Sequence, residues 1–220
     1  MSGEFVAAME DVVELYAEAD DPKRPRVNFD ECSVELHADA RPPESAAPGR
    51  PARHDYEYVR QGTANLFVLV DPSAGRRHVT VTGRRTKKDF AEQMRRVCDE
   101  WYPDADVIRV VLDNLNTHTV GALYEAFAPE EARRLAARLE FHYTPKHASW
   151  LNMAELELSV LSRQCLNRRI PDAKTLAAEV EAWQDARNRD RVTIDWCFKV
   201  ADARKKMHRV YPKLTPAADH

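Results

Sequence analysis

Residues 107–118 read V-I-R-V-V-L-D-N-L-N-T-H. An apolar, largely β-branched run over 107–112 stops abruptly at Asp113-Asn114 and opens into Asn116, Thr117 and His118. A continuous apolar run of that length, ended by turn formers, predicts a strand covered on both faces in an α/β layer. In such folds ligands gather outside the carboxyl ends of the strands, so an acid at that exit stands where chemistry is done. The same construction occurs earlier, where Arg26-Val27-Asn28-Phe29 runs into Asp30-Glu31. Two short strands, each delivering an aspartate at its exit, are the pattern to explain.

Working outward, residues 4–18 place Phe5, Val6, Met9, Val12, Val13 and Tyr16 at helical spacing, ended by Asp20-Asp21-Pro22. The first strand is expected at 25–30, and the proline-rich stretch 37–56 as an irregular excursion. Residues 64–70 and 78–82 read as a hairpin around the turn at 71–75. Thr86 opens a helix to about Trp101 with a capping-box spacing that uses Asp89 in place of Glu. After the strand at 107–112, helical pattern runs over 120–138 with a break near Pro129, then a strand at 139–143 and a turn at 144–147. Helices are expected at 149–164 and 173–188. Strand, hairpin, helix, strand, helix, strand, helix is the order of an α/β ribonuclease H-like fold: a mixed five-stranded sheet flanked by helices, with the first and fourth strands side by side. The chain divides into an N-terminal helix and linker (1–24), a catalytic domain (25–190) and a basic C-terminal segment (191–220).

Composition bounds the function. With 220 residues, 31% charged, and no apolar run near the ~20 residues of a membrane span, the chain reads as a soluble globular protein with no membrane partner. The N-terminus shows no basic region followed by an apolar core, so a cytoplasmic location is expected. Cys32, Cys98, Cys165 and Cys197 form no C-x-x-C pair and are expected as free thiols. A net charge of −3 argues against a general nucleic-acid coat protein. Basic clusters are nevertheless present, notably Arg84-Arg85 with Lys87-Lys88 and the stretch 199–213, and local patches decide phosphate contact more than the total does.

If the first and fourth strands are neighbours, Asp30 and Asp113 meet at their ends. Two carboxylates held close repel unless a cation lies between them, and oxygen ligands alone suit Mg²⁺ or Mn²⁺ rather than zinc. The helix after the last strand offers Glu155 and Glu157. At about 100° per residue, Glu155 shares a polar stripe with Asn152, Ser159 and Ser162, whereas Glu157 points between Trp150, Met153, Val160 and Leu161. The polar stripe selects Glu155; the rival reading makes both ordinary surface glutamates.

The segments F-D-E-C-S (29–33), R-Q-G-T-A-N-L-F (60–67), V-L-D-N-L-N-T-H (111–118) and Y-T-P-K-H-A-S-W-L-N-M-A-E (143–155) resemble those of the Tc/mariner-related insertion-sequence 630 transposase family, from near the start to about residue 212. S-W-L-N-x-x-E after T-P is the most specific part and D-N-x-x-x-H the next. The resemblance implies a catalytic triad of Asp30, Asp113 and Glu155 holding a two-metal Mg²⁺ or Mn²⁺ site, with cleavage of DNA element ends and strand transfer into target DNA. It also implies a homodimer. Two departures stand out. Relatives place helix-turn-helix domains ahead of the catalytic domain, whereas here only 29 residues precede Asp30, so the chain is expected to be the catalytic part alone. In addition, 41 residues separate Asp113 from Glu155, more than in many relatives, which fits the helix A-P-E-E-A-R-R-L-A-A-R.

Supporting residues carry paired readings. Asn114 and His118 stand as phosphate contacts or tuners of a metal-bound water, against helix capping by Asn114 or Asn116. Lys146 and His147 stand as DNA-backbone contacts against plain turn chemistry, and Asn152 as a DNA contact or a support to the triad. Glu31 is expected to face away from Asp30 in a salt bridge, Trp150 and Trp183 to lie in the core, and 204–209 to meet phosphates. The competing functions are another ribonuclease H-like nuclease and a non-catalytic DNA-binding remnant of a transposase.

Overall fold

The computed structural model describes residues 3–42, 45–51 and 56–212. Its strands are β1 (Arg26–Asp39), β2 (Tyr58–Asp71), β3 (Arg76–Thr82), β4 (Ile108–Leu112) and β5 (Leu139–Tyr143), joined in one sheet of order β3-β2-β1-β4-β5. β1, β2 and β3 form an antiparallel meander, and β4 and β5 run parallel to β1. With helices on both faces, this is the ribonuclease H-like sheet that the element order predicts.

β4 is buried at all five positions because it lies between two strands and under two layers. Ile108, Val110 and Leu112 join Val27 and Phe29 of β1 beneath α2 (Lys87–Arg96), α3 (Val120–Ala126) and α4 (Pro129–Ala136), against Phe90, Met94, Leu123 and Leu135. Val111 points the other way, onto Met9 and Val12 of α1 (Gly3–Ala17) and onto Leu151. Leu66, Val68 and Val70 of β2 meet Leu161, Leu176 and Val180 of α5 (Ala154–Leu161) and α6 (Ala173–Arg189). Each such side chain stabilises the fold by roughly 1.5–3 kcal/mol on burial, so β4 and the first half of β1, up to Asp30, are held by packing.

Local chemistry follows the sequence at α2: Thr86 Oγ1 accepts from Asp89 N at 3.3 Å, and Asp89 Oδ2 accepts from Thr86 N at 2.7 Å. The helix ends in a π-helical turn, Val97–Trp101. The turn between β2 and β3 needs Gly75, whose φ is +64° and whose pro-Cβ position lies 2.6 Å from the backbone of Arg191.

Three expectations are corrected. β1 continues past 30 to Asp39, and β2 begins at Tyr58 rather than 64, so the two form a long hairpin with a register shift between Glu35 and His37. The charged alternation of 31–39 and the exposed, polar start of β2 carry little apolar signal; cross-strand pairing makes them strands. The excursion therefore spans 40–57, and residues 43–44 and 52–55 of it lie outside the described residues. The helix expected from 149 is a 3₁₀ turn (Ser149–Leu151), then Asn152 in extended geometry, then α5 with a π-helical end at Ser162–Leu166. In the C-terminal segment, 190–199 is an irregular strap and α7 (Val200–Lys206) packs against α1; residues 213–220 lie outside the described residues. All four cysteines are free thiols.

Candidate active site

The parallel pairing of β1 with β4 sets Asn28 beside Val111, so Asp30, inside β1, and Asp113, just past the end of β4, lie at the same level of the sheet. Asp30 is 9% exposed and shares its β1 face with Asn28, while Phe29 and Glu31 point to the opposite layer. α5 begins two residues after Asn152, and its first turn carries Glu155, which is exposed.

Two asparagines join these segments. Asn152 Nδ2 donates to the Phe29 carbonyl at 2.9 Å, and its Oδ1 accepts from Ala154 N at 3.1 Å. Asn28 Oδ1 accepts from Met153 N at 3.0 Å and faces the hydroxyl of Tyr16, which also lies 2.7 Å from the Leu151 carbonyl. The strand of Asp30 and the helix of Glu155 are thus tied directly, with α1 fastened over the tie.

Burial pushes the Asp30 carboxyl up to about 7, against the bond it accepts from Glu31 N, and the charges of Glu155 and Asp113 raise it further. Asp30 therefore feels two acids that are distant from it along the chain. Asp113 Oδ1 accepts from His118 Nδ1 at 2.5 Å, and His118 Nε2 reaches Glu31 Oε2 at 3.2 Å. Ionised carboxylates only accept, so two such partners favour protons on both ring nitrogens, the imidazolium form. Burial opposes that charge, but the bonds to Asp113 and Glu31 outweigh it and hold His118 up to about 9.

The donor set is all carboxylate oxygen and fits a hard divalent cation, which would favour the charged form of Asp30 that burial and the neighbouring acids oppose. The side chains are not closed around such a point: among the described residues no group of three or more His, Cys, Asp or Glu is arranged to hold a metal ion. One oxygen of Asp113 is engaged by His118 instead.

Asn114, Lys146 and His147 are exposed beside this edge, His147 in the left-handed region at φ 67°. Asn114 and Lys146 line one side of a cleft of about 380 Å³ with Phe5 and Tyr143. His118 is wholly buried and meets no surface, so its contacts are Asp113 and Glu31 rather than phosphate. Asn152 is likewise buried, between Phe29 and Ala154. Trp183 is in the core as expected, but Trp150 is 44% exposed, stacked with Trp196 at 6.4 Å. It stands in the 3₁₀ turn, outside the amphipathic helix, which frees it from the core. Arg204 is engaged by Glu10 at 2.8 and 2.9 Å, tying α7 to α1.

Glu157, two residues from Glu155, is not a surface glutamate. It is 2% exposed and is held by Arg77 Nη2 at 3.0 Å and by Arg187 at 2.8 and 3.1 Å. Arg77, fully buried, also donates to the carbonyls of Gly75 and Val192. No spacing in the sequence announces this clamp. Its only sign was that Glu157 falls on the apolar side of α5.

Residues 25–177 match the DDE superfamily endonuclease family, a span that includes Asp30, Asp113 and Glu155. The chain belongs to that family. Among solved structures, this DDE domain is similar to the Mos1 mariner paired end complex with Mn at 16% identity and a TM-score of 0.57, over 87% of this chain and 58% of that one. It is similar to the Mos1 strand transfer complex at 15% identity and 0.59, over 86% and 55%. A third match is the Mos1 paired-end complex with left transposon end, at 15% and 0.55, over 87% and 59%. At these identities the likeness is one of fold, and the DDE domain spans under three fifths of the Mos1 chains. No curated protein matches it in sequence.

Proposed function

We propose that this DDE domain is the catalytic part of a transposase of the insertion-sequence 630 type, cutting DNA at element ends and joining the freed ends to target DNA. The reading is supported by one observation: burial pushes the Asp30 carboxyl up to about 7, and the charges of Glu155 on α5 and Asp113 at the exit of β4 add to the rise, so both act at β1. Asp30, Asp113 and Glu155 would hold Mg²⁺ or Mn²⁺. Bound divalent cations supply activation of the attacking oxygen and stabilisation of the leaving one.

The chain's own residues do the rest. Asp30, in its buried setting, would hold a cation as the deprotonated carboxylate, and Asp113, with one oxygen on His118, would offer the other. Exposed Asn114, Lys146 and His147 border the edge where a DNA backbone would lie, and Lys146 supplies charge to it. No side-chain nucleophile is required, and Cys32 is no candidate, because burial pushes its thiol up to about 11. The partners are DNA ends, target DNA and, by kinship with the transposase family, a second copy of the protein.

Supercoiled plasmid incubated with the chain and Mg²⁺ or Mn²⁺ is expected to be nicked. Cleavage should vanish on chelation and in Asp113→Ala. Cleavage unchanged in that variant would remove Asp113 from the mechanism and the proposal with it.

A further inference from the structure

We propose that His118 is a positioning residue: its buried ring, spanning Glu31 and Asp113, fixes the orientation in which Asp113 presents its free oxygen to a divalent cation. The inference rests on the metal-dependent reading above and says how one of its acids is aimed. Asp113 lies beyond the last ladder position of β4, on a turn, with its side chain 37% exposed. Such an aspartate has no backbone pairing to set its rotamer. The contact at 2.5 Å from His118 Nδ1 to Oδ1 does so, and charge-assisted bonds of this kind are the strong ones.

The ring itself is over-determined. It is 0% exposed, packs edge-on to Phe29 at 5.5 Å and tilted on Phe90 at 4.8 Å, and its Nε2 is anchored by Glu31, which Arg85 also meets at 3.5 Å. Its backbone is pinned by a bond from His118 N to the Leu115 carbonyl and one from the Tyr143 hydroxyl to the His118 carbonyl. β1 thus serves the site twice. It delivers Asp30 on one face, and on the other Glu31 holds the ring that holds Asp113. Partners that orient metal ligands in this way typically contribute 10–100-fold in metal affinity or activity.

The two ring nitrogens have different jobs, which gives a test that packing alone cannot mimic. An asparagine at 118 places an amide where Nδ1 stood and keeps the bond to Asp113; a glutamine reaches where Nε2 stood and keeps only Glu31. Mn²⁺ binding to the full chain, measured by electron paramagnetic resonance, is expected to weaken about 10–100-fold in His118→Gln. His118→Asn should recover most of that loss. Equal affinities in the two variants, or wild-type affinity in both, would reduce His118 to a packing residue. Asp113→Asn is the reference: if it binds Mn²⁺ as wild type does, the metal-site reading falls and the positioning role with it.

Should either variant fail to fold, ring-nitrogen NMR of the histidine-labelled wild-type chain decides. One imidazole should carry protons on both nitrogens, with a slowly exchanging Nδ1 proton whose resonance moves in Asp113→Asn. A resonance indifferent to Asp113 would overturn the proposal.

Discussion

Asn152 donates its side-chain amide to the carbonyl of Phe29 across 2.9 Å, so the residue before Asp30 is bonded to a residue two positions ahead of the Glu155 helix. The same side chain accepts from Ala154 N, so one residue both engages the first N–H of α5 and sets where the helix sits. Asn152→Ala leaves a buried carbonyl and a helix N–H without partners, at about 1–3 kcal/mol. A fall of roughly 2–4 °C in melting temperature per kcal/mol is expected for a chain of this size, checked by calorimetry. Asn152→Asp retains the cap but not the donor, and should fall between wild type and alanine.

Glu155 and Glu157 should separate cleanly. Glu155 is exposed, so Glu155→Ala is expected to change stability by no more than about 0.5 kcal/mol while abolishing metal-dependent nicking. Glu157→Ala removes the counter-charge of buried Arg77 and is expected to cost about 3–5 kcal/mol in a urea titration. A stable Glu157→Ala with normal nicking would show that the clamp is dispensable.

The two raised groups give stability the same pH dependence. His118 stands at about 9 in the fold against 6.5 unfolded, so its contribution is complete below about pH 6.5 and lost as pH rises through 9. Asp30 stands at about 7 against 3.8, so the folded chain holds that proton more tightly and loses the advantage as pH rises from about 4 through 7. Without divalent cation, the chain should be less stable at pH 9 than at pH 6. The part of that fall between about pH 7.5 and 9, on the order of 1–3 kcal/mol, should disappear in His118→Asn, while the part that Asp30 contributes around pH 7 should remain. Denaturant midpoints across the pH range test this.

If Asp30 holds a cation as proposed, its raised carboxyl makes binding release a proton. Mn²⁺ affinity should rise from pH 6 to 8, and calorimetry at pH 6.5 in buffers of different ionisation heat should register release of about one proton. Asp30→Asn should bind weakly and without release.

Much of this architecture was legible in residues 107–118 and 26–31, because apolar runs ended by acids report both burial and placement. The choice of Glu155 over Glu157 followed from helical angles alone. What stayed hidden depended on long-range partners. Arg77, Glu157 and Arg187 are separated by 80 and 30 residues, and nothing local marks a buried arginine in the R-R-H of β3. His118 lay in a loop that reads as polar, so its insertion between Phe29 and Phe90 could not be foreseen. The extended hairpin of β1 and β2 was missed because exposed strands lack apolar alternation.

The clamp at Glu157 bears on biosynthesis. A ribosome that has released the chain as far as residue 157 has delivered every acid of the site, but not Arg187, the cation that seats the neighbouring glutamate. Emerging polypeptide would then carry Glu155 on a helix not yet fastened down, and the seating of that helix would await synthesis of the next thirty residues or so.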